Sequence, residues 1–310
     1  MIDHPMDVRT LYEIRKTKKQ KTAFLAAVTA YAQRHHYTTR IETGKGGCRN
    51  ILFGDPEKAE YLITAHYDTP ASIGLPNLIT PNNPVSFVLI QTLLVGVLLL
   101  FSCGAAAVVY WLTQNKIAAL LTWYVIYFGL LLLMLRGPAN RHNANDNTSG
   151  VITVLEIMAS MPESKRNIVC FILFDLEEAG LIGSSSYRKE HKTATDRQIV
   201  LNLDCVGDGD VIQFTPTKSA RKNKELLQSI SGICGKFGKK ELRLRDKGFT
   251  AGSSDHKKFP NGVGIMAFHY RKGIGLYCGR IHTWRDIILE QTNIHILRAA
   301  IISLITARKE

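Results

Sequence analysis

With 310 residues and a formal net charge of +13, the chain is long enough to bury a full core, in one large α/β domain or two small ones. Its basic residues are spread along the chain rather than interleaved with aromatics on one face, which argues against nucleic-acid binding. The six cysteines show no CxxC spacing, so a zinc ribbon or a disulfide framework is not expected, and a reducing compartment fits.

The N-terminal region predicts one helix from about Asp7 to Tyr37, because apolar residues recur there at spacings of three and four. Its first twenty residues are polar and basic, so we expect no secretory signal peptide. The dense basic run from Arg15 to Lys21 has two interpretations. It is either a solvated helix face or a segment attracted to an anionic membrane surface.

Short strands are predicted next, near Thr38–Glu42, at Asn50–Phe53 and at Tyr61–Ala65. The third strand ends at His66. Because side chains alternate along a strand, His66 and Asp68 point to the same side at its C-terminal end. Ligands of open α/β sheets gather at that end of the strands.

A long uncharged stretch then interrupts this pattern. Asp, Glu, Lys, Arg and His are absent from Thr69 to Asn115, and the segments Val85–Leu112 and Ile117–Leu135 are almost wholly apolar. Both come close to, or exceed, the roughly 20 apolar residues of a membrane-spanning helix. The alternative is a helical hairpin buried in a core or an oligomer interface. We predict a two-helix transmembrane hairpin within residues 83–136.

Charge at the two ends of the hairpin predicts its orientation. The tip carries Lys116, whereas the other side carries Arg136, Arg141 and the basic N-terminal helix. The positive-inside rule then places the rest of the chain in the cytoplasm, because both ends of a hairpin emerge on one side. We therefore expect a multi-pass protein of the inner (cytoplasmic) membrane that uses the lipid bilayer as a partner.

After the hairpin, strands and helices alternate. The predicted elements are a helix opened by Asp146–Gly150 and running to about Met161, a strand at Asn167–Phe174, a short helix through Tyr187, strands at Ile199–Leu203 and Val211–Phe214, a helix from about Arg221 to Phe237, a strand at Val263–Tyr270 and a helix from about Leu289 to Ala307. This alternation predicts an α/β fold with a mostly parallel central sheet flanked by helices. Residues 1–82 and 137–310 then form one discontinuous domain.

Five polar clusters, most of them at the end of an apolar run, form the candidate site. They are Thr64–Thr69, Asn145–Gly150, Asp175–Gly180, Asn202–Asp204 and Arg280–Asp286. Two histidines and three or four carboxylates make the ligand set of a di-metal hydrolase. Asp146, a carboxylate between two amides, is interpreted as the bridge between the metals. Of the adjacent Glu177 and Glu178, one can bind metal while the other shuttles a proton.

These motifs, H-x-D, N-D-N-x-S-G, E-E-x-G, N-x-D and a late H-T-x-x-D in this order, resemble metallopeptidase family 28. That family comprises the co-catalytic di-zinc exopeptidases of the bacterial leucyl aminopeptidase type. The resemblance covers the chain from about residue 20 to the C-terminus, and it implies the zinc-exopeptidase, phosphorylase/hydrolase-like fold and peptide substrates. One departure is large: His66 and Asp146 are 80 positions apart (146 − 66), and the hairpin fills the excess.

The resemblance also implies a role for each motif residue. The implied ligands are His66 and Asp204 for one Zn²⁺, Glu178 and His282 for the other, and Asp146 as the bridge between them. Glu177 is implied as the general base, and then general acid, for a hydroxide that bridges the metals. The family further implies a cis peptide after Asp146. Co²⁺ or Mn²⁺ can replace zinc, since such a site accepts several metals.

Three further carboxylates are candidates for supporting roles. Asp68 is placed to accept the second ring N–H of His66. Asp286 is expected to brace His282 or the loop that carries it. Asp255 can support a ligand, meet the α-amine of a substrate, or simply cap a helix.

The predicted activity is that of an aminopeptidase. Within the same family, a carboxypeptidase or another amide hydrolase remains open, and glutaminyl cyclisation is less favoured because those members use one metal and work in secretory compartments. A non-catalytic membrane scaffold that kept the fold is the alternative from another class. Self-association is open as well, since Gly96 and Gly104 permit close helix contacts.

Overall fold

The computed structural model describes residues 1–73 and 77–307. Its strands are β1 (Thr39–Thr43), β2 (Arg49–Phe53), β3 (Tyr61–His66), β4 (Val169–Phe174), β5 (Ile199–Leu203), β6 (Val211–Pro216), β7 (Gly235–Phe237), β8 (Lys240–Leu244), β9 (Gly262–Arg271) and β10 (Gly275–Tyr277). They form one sheet in the order β1-β2-β4-β3-β5-β9-β6-β8-β7, with β10 paired to β9. The neighbours β4, β3, β5 and β9 run parallel, whereas the pairs β1–β2, β2–β4, β9–β6, β8–β7 and β9–β10 are antiparallel.

Helices cover both faces of this sheet. The helices of the described residues are α1 (Asp7–Leu11), α2 (Lys18–Arg34), α3 (Pro84–Thr113), α4 (Lys116–Arg136), α5 (Gly150–Ser160), α6 (Ile182–Glu190), α7 (Lys192–Thr195), α8 (Lys224–Ile233) and α9 (Gln291–Thr306). Side chains of α2, α5, α8 and α9 form the larger buried cluster with one face of the strands. The predicted helix-flanked α/β fold is confirmed, and the parallel strands occupy its centre.

The central strand β4 shows why its sequence is continuously apolar. All of its residues are buried, with Phe171 and Leu173 in the larger cluster and Ile172 and Phe174 in a second cluster on the opposite face. A strand covered on both faces has no solvated side where a polar residue can lie. Each such side chain contributes about 1.5–3 kcal/mol through burial.

The parallel strands bring polar residues to one edge of the sheet. His66 is the last residue of β3, Asp175 follows β4, and Asp204 follows β5. Because β3 pairs in parallel with both β4 and β5, these three carboxyl ends lie side by side. The topology therefore assembles three of the predicted clusters at the place where α/β sheets bind ligands.

The N-terminal prediction of one continuous helix was wrong, since α1 and α2 are separated by residues 12–17. Thr17 starts α2 with a capping box, in which its side chain accepts the N–H of Gln20 and the Gln20 side chain accepts the N–H of Thr17. This arrangement satisfies backbone donors that a helix start leaves free. The predicted helix from Arg221 also ends early, at Ile233, and the short strands β7 and β8 that follow it were missed.

The uncharged stretch forms two antiparallel helices, α3 and α4, within one residue of the predicted bounds. Asn83 caps α3 by accepting the N–H of Ser86, and Asn115 caps α4 by accepting the N–H groups of Ile117 and Ala118. Gln114 adopts a left-handed conformation between them, with φ 52°. The turn of the hairpin is therefore fixed by polar residues at its tip.

The apolar side chains of this hairpin are mostly exposed. Both helices are long and apolar enough to cross a membrane by length and composition, and only 11% and 0% of their most apolar windows are buried. A water-soluble surface rarely exposes so large a contiguous apolar area. The division into one discontinuous domain (residues 1–82 and 137–310) and an inserted hairpin (residues 83–136) stays a prediction. Residues 74–76 and 308–310 of the predicted domain lie outside the described residues.

One buried ion pair ties α2 to the sheet. Lys21 of α2 bonds Asp175 at the end of β4, and both side chains are almost fully buried. Asp175 also accepts the N–H groups of Arg49 and Leu176, at 3.0 and 2.9 Å. Removing the cation would leave a buried carboxylate without its counter-charge.

We predict that Lys21→Met lowers the free energy of unfolding by about 3–5 kcal/mol, because it leaves Asp175 buried and unpaired. Lys19→Met is the matched control: Lys19 is exposed on the same helix, and surface changes usually stay within about 0.5 kcal/mol. Thermal unfolding in detergent, followed by intrinsic fluorescence, compares the two. Equal shifts would show that the ion pair has no special role.

Candidate active site

The site is centred on Asp146, whose two carboxylate oxygens face two different histidines. Oδ1 lies 3.2 Å from Nε2 of His66, and Oδ2 lies 2.9 Å from Nε2 of His282. Burial alone would raise the pKa of Asp146, but hydrogen bonds from His282 and His66 hold it below its usual range. A carboxylate shared in this way has the geometry of a bridging ligand.

Each histidine belongs to a triad that includes Asp146. In the first triad, Nε2 of His66 lies 3.7 Å from Oδ1 of Asp204. In the second, Nε2 of His282 lies 3.6 Å from Oε2 of Glu178. The structure thus brings together all five residues that the sequence analysis proposed as ligands, in the two groups implied by the family resemblance.

The chemistry of these triads fits two divalent cations. Donor atoms within each triad lie within 4.8 Å of one another, which is compatible with ligands about 2.0–2.2 Å from a shared zinc ion. Oε1 of Glu178 is buried and has no hydrogen-bond partner among the described residues. An unpaired buried carboxylate oxygen is costly, and a bound cation would satisfy it.

Glu177 lies beside these triads and lines the same cavity. It forms a separate group with His66 and Glu178, with one oxygen or nitrogen of each residue within 4.8 Å of the others. Burial raises the pKa of Glu177 well above its usual range, against the opposing charge of His66. The expected division of roles, with Glu178 as a metal ligand and Glu177 as the proton carrier, stays a prediction.

A single carboxylate, Asp68, positions both glutamates. Its Oδ1 accepts the N–H of Glu177 at 3.0 Å, and its Oδ2 accepts the N–H of Glu178 at 3.2 Å. Oδ1 also lies 3.5 Å from Nδ1 of His66, whereas the other ring nitrogen of His66, Nε2, faces Asp146. Asp68 consequently fixes the backbone of the Glu177–Glu178 pair as well as facing the imidazole that the sequence analysis assigned to it.

Asp286 holds the loop of Asp146 in the same manner. Its two oxygens accept the N–H groups of Asn145, at 2.8 Å, and Asp146, at 3.0 Å. The sequence predicts that Asp286 braces His282 or the loop that carries it. Asp286 lies on that loop, but its carboxylate accepts hydrogen bonds from the backbone of Asn145 and Asp146. The peptide bond between Asp146 and Asn147 is cis, as the family resemblance implied.

The other motif residues around Asp146 fix the loop to the end of β5. Oδ1 of Asn147 accepts the N–H groups of Gly150 and Cys205, at 3.0 and 3.2 Å, and its amide donates to the carbonyl of Leu203 at 2.9 Å. A Cβ on Gly150 would lie 2.4 Å from that carbonyl and from Oδ1 of Asn147. Only glycine fits there, so the motif places Asp146 beside Asp204.

Arg15 is a residue that the sequence analysis misplaced. It is fully buried, and its guanidinium donates to the carbonyl of Tyr67 and to Oγ1 of Thr148. Burial lowers its pKa to about 10, while the charges of Asp68 and Asp146 favour its cationic form. Arg15 is therefore neither on a solvated helix face nor on a membrane-facing surface. The sequence of a basic run does not distinguish a buried arginine from the exposed basic residues next to it.

Asp255 is buried close to the cavity wall. Its neighbours Ser254 and His256 line the cavity. Neither oxygen of Asp255 has a hydrogen-bond partner within the described part of the chain, and burial raises its pKa to about 7. The helix-cap alternative lacks support, because Asp255 is itself the first residue of a short 3-10 turn. Its role in substrate binding stays a prediction.

The triads form the floor of a cavity of about 650 Å³. Ile265, Met266, Phe268 and Ile281 contribute an apolar wall to it. Such a volume, with converging polar groups at one end and apolar side chains around them, is typical of a site for a small organic ligand or a short peptide segment.

We predict that Asp286→Asn weakens zinc binding about 10- to 100-fold, because an amide has one acceptor oxygen where two N–H groups must be satisfied. Competition with a chelating dye measures this affinity without an activity assay. Glu163→Gln, on an 87% exposed side chain, is the control and should bind like the original chain. Unchanged affinity in Asp286→Asn would rule out this bracing role.

Comparisons with known proteins agree with this geometry. Residues 133–302 match the model of peptidase family M28. No curated protein sequence matches the chain. Among solved structures, glutaminyl cyclase from Porphyromonas gingivalis superposes with a TM-score of 0.59 at 15% identity, covering 98% of this chain and 97% of that one.

Two aminopeptidase structures have the same fold. A leucine aminopeptidase precursor from Bacteroides thetaiotaomicron superposes with a TM-score of 0.56 at 14% identity, over 98% of this chain and 95% of that one. The LapA aminopeptidase of Legionella pneumophila gives 0.57 at 14% identity, over 98% and 69%. The family model spans more than half of the sequence and includes Asp146, Glu177, Glu178, Asp204 and His282, and the chain therefore belongs to the hydrolases of peptidase family M28.

Proposed function

We propose that this protein is a membrane-anchored aminopeptidase that uses two zinc ions to remove N-terminal residues from peptides on the cytoplasmic side. The observation that carries the proposal is the carboxylate of Asp146, shared between two His-carboxylate triads on the floor of one cavity. A single-metal site needs only one such triad. Two triads with a common member support a pair of ions.

His66, Asp146 and Asp204 would hold one ion, and Asp146, Glu178 and His282 the other. Bound there, the zinc ions would polarise the scissile carbonyl and lower the pKa of water, and Co²⁺ or Mn²⁺ could do the same. Asp68 and Asp286 keep the ligand loops at fixed positions through backbone N–H groups. The protein contributes a preorganised set of donors rather than one that assembles on binding.

Glu177 is the proton carrier in this scheme. Its carboxylate removes a proton from the attacking water as the oxygen bonds to the scissile carbonyl carbon. It then delivers that proton to the leaving nitrogen as the C–N bond breaks, which releases a free amine and a carboxylate. Asp68 supports this role, because it accepts the backbone N–H of Glu177 and so fixes the position of that residue.

Charge in the cavity favours a substrate with a free α-amine. Glu177 lines the cavity without being one of the five proposed ligands, and its carboxylate complements an N-terminal ammonium group better than a C-terminal carboxylate. Lys257 also lines the cavity, and this cation favours a carboxypeptidase instead. The assay must therefore compare both ends of the peptide.

We predict that detergent-purified, zinc-loaded protein cleaves peptides with a free N-terminus and leaves N-acetylated peptides intact. Glu177→Gln should reduce kcat about 10²- to 10⁴-fold, because it removes the proton carrier. Glu163→Gln, an exposed change, should retain full activity.

Other outcomes of this assay separate the alternatives. Cleavage of acetylated peptides from their C-terminal end would establish a carboxypeptidase, and loss of ammonia from N-terminal glutamine would establish a cyclase. Ordinary activity of Glu177→Gln would contradict the mechanism. A purified protein that binds no zinc and cleaves nothing would support the non-catalytic scaffold.

Dimensions and surface of the hairpin support the membrane part of the proposal. The helices have 30 and 21 residues, or about 45 and 31 Å at 1.5 Å per residue. The hydrocarbon core of a bilayer is about 30 Å thick. Arg136 and Arg141 lie at the end near the sheet and Lys116 at the tip, which by the positive-inside rule supports a cytoplasmic active site.

We predict that Asn115→Cys, at the hairpin tip, reacts with a membrane-impermeant maleimide in intact cells, because the tip lies outside the cytoplasmic membrane. Lys239→Cys, in the turn between β7 and β8, should react only after the membrane is permeabilised. The original chain, with its own six cysteines, provides the background. Labelling of Lys239→Cys alone in intact cells would reverse the orientation, and equal labelling of both positions, or of neither, would contradict a membrane-spanning hairpin.

A further inference from the structure

The cavity that holds Asp146 opens next to the ends of the two hairpin helices. We define the hairpin foot as residues 81–89 and 132–136, where α3 begins and α4 ends. Pro81 and Leu135 both line the cavity. Leu135 is also 62% exposed, so this one side chain belongs to the cavity wall and to the outer surface of the hairpin.

The outer surface of the foot is apolar on both helices. Its exposed side chains include Val85, Val88, Leu89, Leu132 and Leu133. Water solvates such a surface poorly, whereas lipid tails cover it without loss. In the proposed membrane-anchored protein, the apolar surface at the foot lies at the bilayer and meets the cavity wall at Leu135.

A second segment, which we define as the Phe249 loop (residues 245–252), completes the cavity wall at this point. Thr250, Ala251 and Gly252 line the cavity. The N–H of Ala251 donates to the carbonyl of Pro81 at 2.7 Å. Phe249 packs against Phe87 of α3, with ring centroids 6.1 Å apart. The loop is therefore fixed to the foot by a hydrogen bond and an aromatic contact.

The same loop carries features of a membrane-interface segment. Phe249 is 42% exposed, and the neighbouring Arg245 and Lys247 outweigh the single negative charge of Asp246 between them. Arg221 donates to the carbonyl of Gly248 at 3.3 Å, which adds a third cation. Cations next to an exposed aromatic side chain suit the headgroup layer of an anionic membrane.

We propose that the substrates of this site are peptides bound to the membrane surface. An apolar segment of the peptide lies in the bilayer beside the hairpin foot, and its N-terminus extends between Leu135 and the Phe249 loop to the two triads. This inference rests on the proposed aminopeptidase function and names its substrate class. It also gives the hairpin a role beyond anchoring, since the hairpin forms part of the substrate path.

The length of the polar spacer in an anchored substrate tests this geometry. Full-length protein is reconstituted in vesicles of phosphatidylcholine with one-third phosphatidylglycerol. Each substrate has an N-terminal leucine, a polar spacer and a C-terminal apolar helix; a soluble counterpart lacks the helix. Spacers of about 6 and about 16 residues reach roughly 20 and 50 Å when extended.

If the cavity opens at the bilayer, the short-spacer peptide is cleaved at least as well as the long-spacer peptide. Its kcat/KM should exceed that of the soluble counterpart about tenfold or more, because both molecules are held at one surface. Cleavage of the long-spacer peptide alone, or equal rates for anchored and soluble peptides, would overturn the inference while leaving the aminopeptidase intact. Cleavage of no peptide would overturn both.

A double variant separates the role of the Phe249 loop from simple co-localisation in the vesicle. Lys247→Glu combined with Phe249→Ser should lower the ratio of anchored to soluble kcat/KM about threefold or more, because it replaces a cation and an aromatic side chain at the anionic surface. The matched control is Lys239→Glu with Phe237→Ser, another exposed pair at the opposite end of β8. An equal drop of this kcat/KM ratio in both variants would contradict a specific contact between the Phe249 loop and the membrane.

Discussion

Mutual repulsion among buried carboxylates is the constraint on which this structure depends. Asp68, Asp146, Glu178 and Asp204 converge with two imidazoles at the ends of three parallel strands. Like charges at this separation strongly disfavour one another in a protein interior. The fold tolerates these carboxylates because imidazoles, backbone N–H groups and the buried guanidinium of Arg15 lie close to them. The carboxylate oxygens and imidazole nitrogens are also suited to bind divalent cations.

Asp68 and a further carboxylate, Asp286, act on the backbone rather than on a reacting group. Asp68 accepts hydrogen bonds from the consecutive N–H groups of Glu177 and Glu178, and Asp286 accepts them from those of Asn145 and Asp146. Loops are the most mobile part of an α/β fold, yet the proposed metal site requires ligands held to within a fraction of an ångström. A bidentate carboxylate beneath each loop supplies that rigidity.

The position of the hairpin explains how the fold accommodates an insertion beside its own active site. Ala71 and Ala139 form a β-bridge, and the N–H of Ser72 donates to the carbonyl of Pro138 at 2.9 Å. The chain segments that lead into and out of the hairpin therefore meet beside the sheet. Because the insertion follows the H-x-D motif, its ends necessarily lie near the ligands. The proposed membrane-bound substrates would make use of that proximity.

The sequence by itself determined the α/β class, the bounds of the hairpin and the motif residues, because apolar periodicity, uncharged length and short motifs are local properties. Only the tertiary structure decided that Arg15 is buried behind the site, that Asp286 holds Asp146, and that Leu135 lines the cavity. Each of these facts joins segments more than a hundred residues apart or a side chain to a cavity. No local pattern encodes such contacts, since they arise from strand order and from how loops pack at the carboxyl ends of the sheet.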